Sequence, residues 1–229
     1  MTPFARLELR LALARPALQA QAAQLWASAP PATIYPAWLR TMHMVVRTAV
    51  PLLTAAAAAA RRRDDPLCRA LADYYTRHAD EEAGHDRWLV ADLAATGHRM
   101  QAIQPPACIA ELAGAQYYWL HHHHPVTLLG HVAAMETLPP PPGFAEQLQA
   151  LTGYPATAFR TIRRHAVIDI GHAADLAALI DSLPLTPAHE AAIAVSALHT
   201  IERGIDILAD LEARVRKATR APPLPGNGQ

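Results

Sequence analysis

Two stretches of the chain carry the same pattern of groups able to hold a metal ion. His78-Ala-Asp-Glu-Glu82-Ala-Gly84-His85 and His165-Ala-Val-Ile-Asp169-Ile-Gly171-His172 both read His-Ala-x-x-Glu/Asp-x-Gly-His. Imidazole, carboxylate and imidazole stand at i, i+4 and i+7. On an α-helix these positions fall within about 60° of one another, so each octad presents three ligands on one stripe. Imidazole with carboxylate suits iron, manganese or zinc, and two histidines with one carboxylate beside open positions suit oxygen-activating Fe(II). Neither octad contains cysteine, which argues against a structural zinc site. The glycine before the last histidine costs about 1 kcal/mol against alanine inside a helix. Its recurrence predicts that a neighbouring helix comes close to the backbone there.

A carboxylate from a third helix would complete such a site, and Glu136 is the candidate. It stands in the apolar segment LLGHVAAMETLPPPP, where a buried carboxylate needs a partner. Taken singly, these residues have plainer explanations. A lone Glu-x-x-His is usually a surface pair, Glu81, Glu82, Asp86 and Arg87 make an ordinary solvated face, and His165 follows Arg163-Arg164. The recurrence of the octad, together with Glu136, favours metal. The conspicuous run His121 to His124, among 13 histidines, does not. Consecutive residues on a helix point about 100° apart, so four in a row cannot converge on one ion.

The elements that position these groups read as helices throughout. Alanine, the best helix former, is abundant, and no run alternates in the manner of a strand. The expected helices cover about 3–28, 36–63 with a kink at Pro51, 66–96 ended by Gly97, 105–122, 125–137, 143–152, 154–183 and 187–218. Proline-rich joints separate them, and Pro139 to Gly143 reads as a rigid connector. That makes one all-α domain over 1–218. The tail from 219 to 229 has no reason to fold.

The 20 basic and 20 acidic residues balance, which argues against nucleic acid as a partner. Cys68 and Cys108 are expected as reduced, cytoplasmic thiols. Charges interrupt the N-terminal segment, so it does not read as a signal peptide. No uncharged apolar run reaches about 18 residues, so no membrane span is expected.

The stretches around His78–Leu89, Tyr117–Gly130 and His165-x3-Asp169-x2-His172 resemble the haem-oxygenase-like diiron oxidases and oxygenases, also called iron-containing redox enzymes. That family is related in fold to thiaminase II and to pyrroloquinoline-quinone-synthase-like proteins. The resemblance covers about residues 36–205. It implies a haem-oxygenase-like bundle of about seven to eight helices, with two irons per chain and O2 as co-substrate. It also implies a small amine, amino acid or fatty acid as substrate, oxidised by N-oxygenation or oxidative C–C cleavage. Carried over by position, it places Glu82, His85 and His165 on one iron and Glu136, Asp169 and His172 on the other. His78 is then a supporting residue or an alternative ligand, and Glu81 a substitute for Glu82 if the helix phase differs by one. His43, Arg47, Tyr117, Tyr118, His121 and His131 are candidates for the pocket or for support of the ligands, with Arg47 able to pair with a substrate carboxylate.

Three other readings stay open from sequence: a ferritin-like four-helix diiron protein, a metal-free thiaminase-like or cofactorless oxidase of the same fold, and a non-catalytic helical binding protein. A homodimer is also compatible with the sequence, but no surface is specified.

Overall fold

The computed structural model describes residues 1–138 and 140–220. Ten α-helical segments follow in order: α1 (Pro3–Ala27), α2 (Pro31–Val46), α3 (Ala49–Arg61), α4 (Cys68–Glu81), α5 (His85–Ala95), α6 (Ala107–His122), α7 (Leu128–Glu136), α8 (Phe144–Thr152), α9 (Arg160–Ser182) and α10 (Pro187–Arg220). Short 3-10 turns at Pro125–Thr127 and Ala156–Phe159 lead into α7 and α9. No strand occurs among the described residues, as the composition predicts. The expected tail begins late. Thr219 and Arg220 belong to α10, and 221–229 lie outside the described residues, as does Pro139 of the expected connector.

Two of the eight expected helices are each broken in two. The first break leaves α2 at Val46 and resumes α3 at Ala49. Pro51 explains it: its ring collides with the carbonyl four residues back and it has no N–H to give. That carbonyl belongs to Arg47, the residue that caps α2. The helix therefore breaks one turn before the proline, where a kink at Pro51 itself was expected. It also starts earlier than expected, at Pro31, and tolerates the buried Pro36 inside.

The second break corrects the picture of two equivalent octads. The expected helix over 66–96 stops at Glu81 and restarts at His85, with Gly84 at φ +90°. Gly84 is therefore present because the chain turns left-handed, which residues with a Cβ rarely do. A Cβ at Gly84 or at Gly171 would meet nothing within 4 Å. The close approach expected at both positions does not exist. Gly171 sits in the unbroken α9, and nothing in its surroundings explains it.

Close approach does occur at Gly130. A Cβ there would lie 1.9 Å from the carbonyl oxygen of Ile193, so α7 and α10 run backbone to backbone. The long α10 also packs against α1, α6 and α2, while α3 pairs with α4 and α2 with α5. The largest apolar cluster joins Leu11, Leu53, Leu71, Tyr75, Leu129, Leu176 and Ala197 from six different helices.

The stretch Pro31–Arg61 has the length and mean hydropathy, 1.3, of a membrane-crossing helix, although no uninterrupted apolar run was expected. It is two helices, and Ile34, Tyr35, Leu39, Leu52 and Leu53 are buried in the protein's own core.

Candidate metal centre

The end of α4, the start of α5, the end of α7 and the middle of α9 meet around one buried group of imidazoles and carboxylates. Donor atoms of His78, Glu82, Glu136 and His172 lie within 4.8 Å of one another, and so do those of Glu82, His85 and His165. Glu82 belongs to both sets. Its Oε2 is 3.0 Å from Nδ1 of His85, and its Oε1 is 3.7 Å from Nδ1 of His172. One carboxylate thus turns its two oxygens toward different histidines.

The helix break creates this division. On an unbroken helix His78, Glu82 and His85 would share one stripe. With the turn at Gly84, His78 joins the set containing Glu136, while His85 joins the set containing His165. The α9 octad needs no break. Its two histidines are seven residues apart, about 10 Å along the axis, and so each reaches a different set.

The four-residue set is tightly coupled. Glu136 Oε2 accepts from Nδ1 of His172 at 3.2 Å, and its Oε1 is 3.6 Å from Nε2 of His78. Burial alone would raise the Glu136 carboxyl, but its bonds to His172 and His78 outweigh burial and hold it down at about 2. The bond to Glu136 raises the His172 imidazole against the opposing effect of burial. The outward nitrogens of the same histidines face Glu81, whose Oε2 is 3.5 Å from Nδ1 of His78 and 3.6 Å from Nε2 of His172. Glu81 is thus not in Glu82's place. It lies on the outer side of both rings, within ion-pair distance of each.

In the three-residue set, Nδ1–H of His165 donates to the Thr161 carbonyl at 3.0 Å. A carbonyl only accepts, so Nδ1 carries the proton and the Nε2 lone pair is free. Nδ1 of His85 makes no hydrogen bond although Glu82 is 3.0 Å away. The two groups are close without the alignment of a donor and an acceptor. Trp88 stacks on His85 at 3.9 Å between centroids and holds its plane. Arg164 covers the Trp88 ring at 4.4 Å.

Asp169 stands on α9 between the two histidines but outside both sets. Its Oδ1 is buried without a partner. Burial, with the charges of Glu136 and Glu82 adding to it, pushes this carboxyl up to about 8. A carboxylate buried beside two others is neutralised either by a proton, as this upward shift shows, or by a cation near it. The residues present therefore fit a pair of metal ions. Their nitrogen and oxygen donors belong to the iron, manganese and zinc class.

Of the remaining candidates, His131 lines the cavity described below. His43 is half-buried elsewhere, Arg47, Tyr118 and His121 are exposed, and Tyr117 is half-buried on α6. None of these five borders that cavity. The sequence pattern passed over a third grouping, Asp65, Cys68 and His124. His124 Nδ1 accepts the N–H of Val126 at 3.0 Å, so the proton of a neutral ring sits on Nε2. That nitrogen lies 3.4 Å from Asp65 and 3.8 Å from Cys68, as in a hydrogen-bonded joint between α4 and α7. Both cysteines are free thiols.

A cavity of about 120 Å³ opens onto the centre. His78, Glu82, Glu136, His165 and Asp169 line it, and the rest of the lining is mainly apolar, from Val45, Val46, Leu52, Leu53, Leu128 and Val132.

No curated protein matches this chain significantly in sequence. Among solved structures, a domain of unknown function with a heme oxygenase-like fold from Shewanella denitrificans superposes with a TM-score of 0.81 at 17% identity, covering 96% of each chain. A TenA homologue from Pseudomonas syringae pv. tomato follows with a TM-score of 0.66 at 12% identity, over 90% of this chain and 91% of that one. The fold is therefore haem-oxygenase-like, as the sequence resemblance implies. The model of the iron-containing redox enzyme family matches residues 37–205, and the chain belongs to that family.

Proposed function

We propose that the protein is a non-haem diiron oxidase or oxygenase that uses O2 to oxidise a small organic molecule, by N-oxygenation of an amine or amino acid or by oxidative C–C cleavage. The observation that carries this reading is Glu82, one carboxylate with its two oxygens turned to two different sets of histidines. Such a residue can bridge two ions. His85 and His165 would complete one site, and His78, Glu136 and His172 the other, with the unpaired Oδ1 of Asp169 available to either. When bound, two ferrous ions supply electrons and open positions for dioxygen.

The chain's own groups prepare the site. Glu81 faces the outer nitrogens of His78 and His172, and Thr161 fixes the tautomer of His165. Apolar side chains from α2, α3 and α7 keep bulk water from the remaining wall. Asp169 holds a proton near neutral pH when no cation is present and releases it when one binds. A metal-free enzyme on this fold would have to hold Glu82, Glu136 and Asp169 beside four imidazoles and keep a proton on Asp169 in place of a cation.

Anaerobic titration with Fe(II), followed by metal analysis and exposure to O2, tests the proposal. Two irons per chain and a transient visible absorption band are expected. No stoichiometric metal, with His172→Ala unchanged in stability and activity, would overturn it.

A further inference from the structure

Beyond the residues of the metal centre, two polar side chains line the cavity, Thr48 and His131. The Thr48 hydroxyl donates to the Val45 carbonyl at 2.7 Å, so toward the cavity it can only accept. His131 is oriented by α10. The Thr200 hydroxyl spends its hydrogen on the Ser196 carbonyl at 2.9 Å, leaving its oxygen to accept from Nδ1–H of His131 at 3.0 Å. The proton of the neutral ring is thus on Nδ1, and Nε2 is left as a lone pair. Burial keeps this ring uncharged, moving its titration down to about 4. The backbone contact at Gly130 fixes the ring's distance from α10. No arginine or lysine lines the cavity among the described residues, and Arg47 is exposed outside it.

We propose that His131 is a substrate-binding residue whose Nε2 accepts a hydrogen bond, so that the cavity selects a small, mainly aliphatic molecule carrying a hydroxyl or uncharged amine N–H and discriminates against one offering only acceptors. This inference rests on the cavity being the substrate chamber of the proposed oxidase. Away from the metal centre the lining offers only acceptors, so a carboxylate or ether oxygen placed there stays unpaired, whereas an O–H or N–H is satisfied. Size sets a further limit. An apolar cavity of ~150 Å³ holds benzene, so this one takes about five or six non-hydrogen atoms.

Butan-1-ol and its isomer 1-methoxypropane have the same atoms, and only the alcohol has a donor. Their affinities would be measured by NMR titration of the full-length protein, as purified and after anaerobic Fe(II) loading. A preference of about fivefold for the alcohol is expected, with the ring Nε2 signal of His131 moving on addition of alcohol and not of ether. His131→Phe, which keeps the ring and removes the acceptor, should reduce the preference to near one. Equal affinities in the wild type, or an Nε2 signal indifferent to the alcohol, overturns the proposal even if the variant does not fold. A protein that keeps the preference yet takes up no iron leaves this inference standing and removes the diiron reading. A protein that binds two irons without the preference does the reverse.

Discussion

Glu82 and Asp169 occupy the same place in the two octads and behave differently. Glu82 has histidine neighbours on both sides, whereas Asp169 has a buried oxygen with none. Removing the shared carboxylate should therefore cost both ions. Glu82→Ala is expected to fall from two irons per chain to well below one, while His165→Ala, outside the four-residue set, should keep about one. Anaerobic loading and metal analysis give the count, and a Glu82→Ala protein that retains two irons would remove the bridging role. Asp169 makes a separate prediction for the metal-free protein. Its folded pKa, about 8, lies above the ordinary aspartate value. Its contribution to stability is therefore complete below about pH 4, is lost as pH rises toward 8, and is level beyond. Glu136, held at about 2, works in the opposite sense and loses its contribution only as pH falls toward 2. Asp169→Asn stays neutral throughout. Its melting temperature should exceed that of the metal-free wild type increasingly from pH 5 to pH 8, by about 2–4 °C for each kcal/mol recovered. A constant difference across that range would show that Asp169 does not titrate this way.

At the scale of elements, the sequence revealed the helices and hid their breaks. Apolar spacing and prolines locate α1, α6, α8 and α10 within a few residues. The turn at Gly84 was illegible, because Glu82-Ala-Gly-His keeps helical spacing across it and a glycine alone does not declare the sign of φ. That turn decides the site. It separates His78 from His85, which is why His78, read as a supporting residue or an alternative ligand, sits among the four donors while Asp169 stays outside. The partnership of Glu81 with two outward nitrogens depends on α4 and α9 facing each other, which spacing within either helix cannot show. The two octad glycines give a paired test. Gly84→Ala forces a Cβ into φ +90° and should destabilise by about 1 kcal/mol. Gly171→Ala enters an unbroken helix with nothing within 4 Å of the new Cβ and should stabilise by about 0.5–1 kcal/mol. Denaturant midpoints of the two variants read the difference. Equal shifts would mean that the two octads adopt the same conformation after all.

For the whole molecule, the centre joins segments that the apolar core leaves partly independent. The main cluster gathers residues of α1, α3, α4, α7, α9 and α10, while Leu89 and Leu93 of α5 belong to a second cluster with Tyr35, Leu39 and Phe159. His85 on α5, His78 and Glu82 at the end of α4, Glu136 on α7 and His165 and His172 on α9 therefore tie the two clusters together through the site. Ions that bind only this assembled arrangement must stabilise it by mass action. At a free concentration a hundred times the dissociation constant, one site adds about 2.7 kcal/mol, which for a domain of this size raises the melting temperature by about 5–10 °C. Anaerobic Fe(II) should produce such a rise, a chelator should reverse it, and Glu82→Ala should abolish it. Hydrogen exchange adds a spatial check. Amides of α5 and of the α4–α5 turn should gain protection with iron, since the second cluster holds α5 without reaching α4. Iron that raises the melting temperature equally in the wild type and in Glu82→Ala, with no gain of protection at α5, would place the metal elsewhere on the protein.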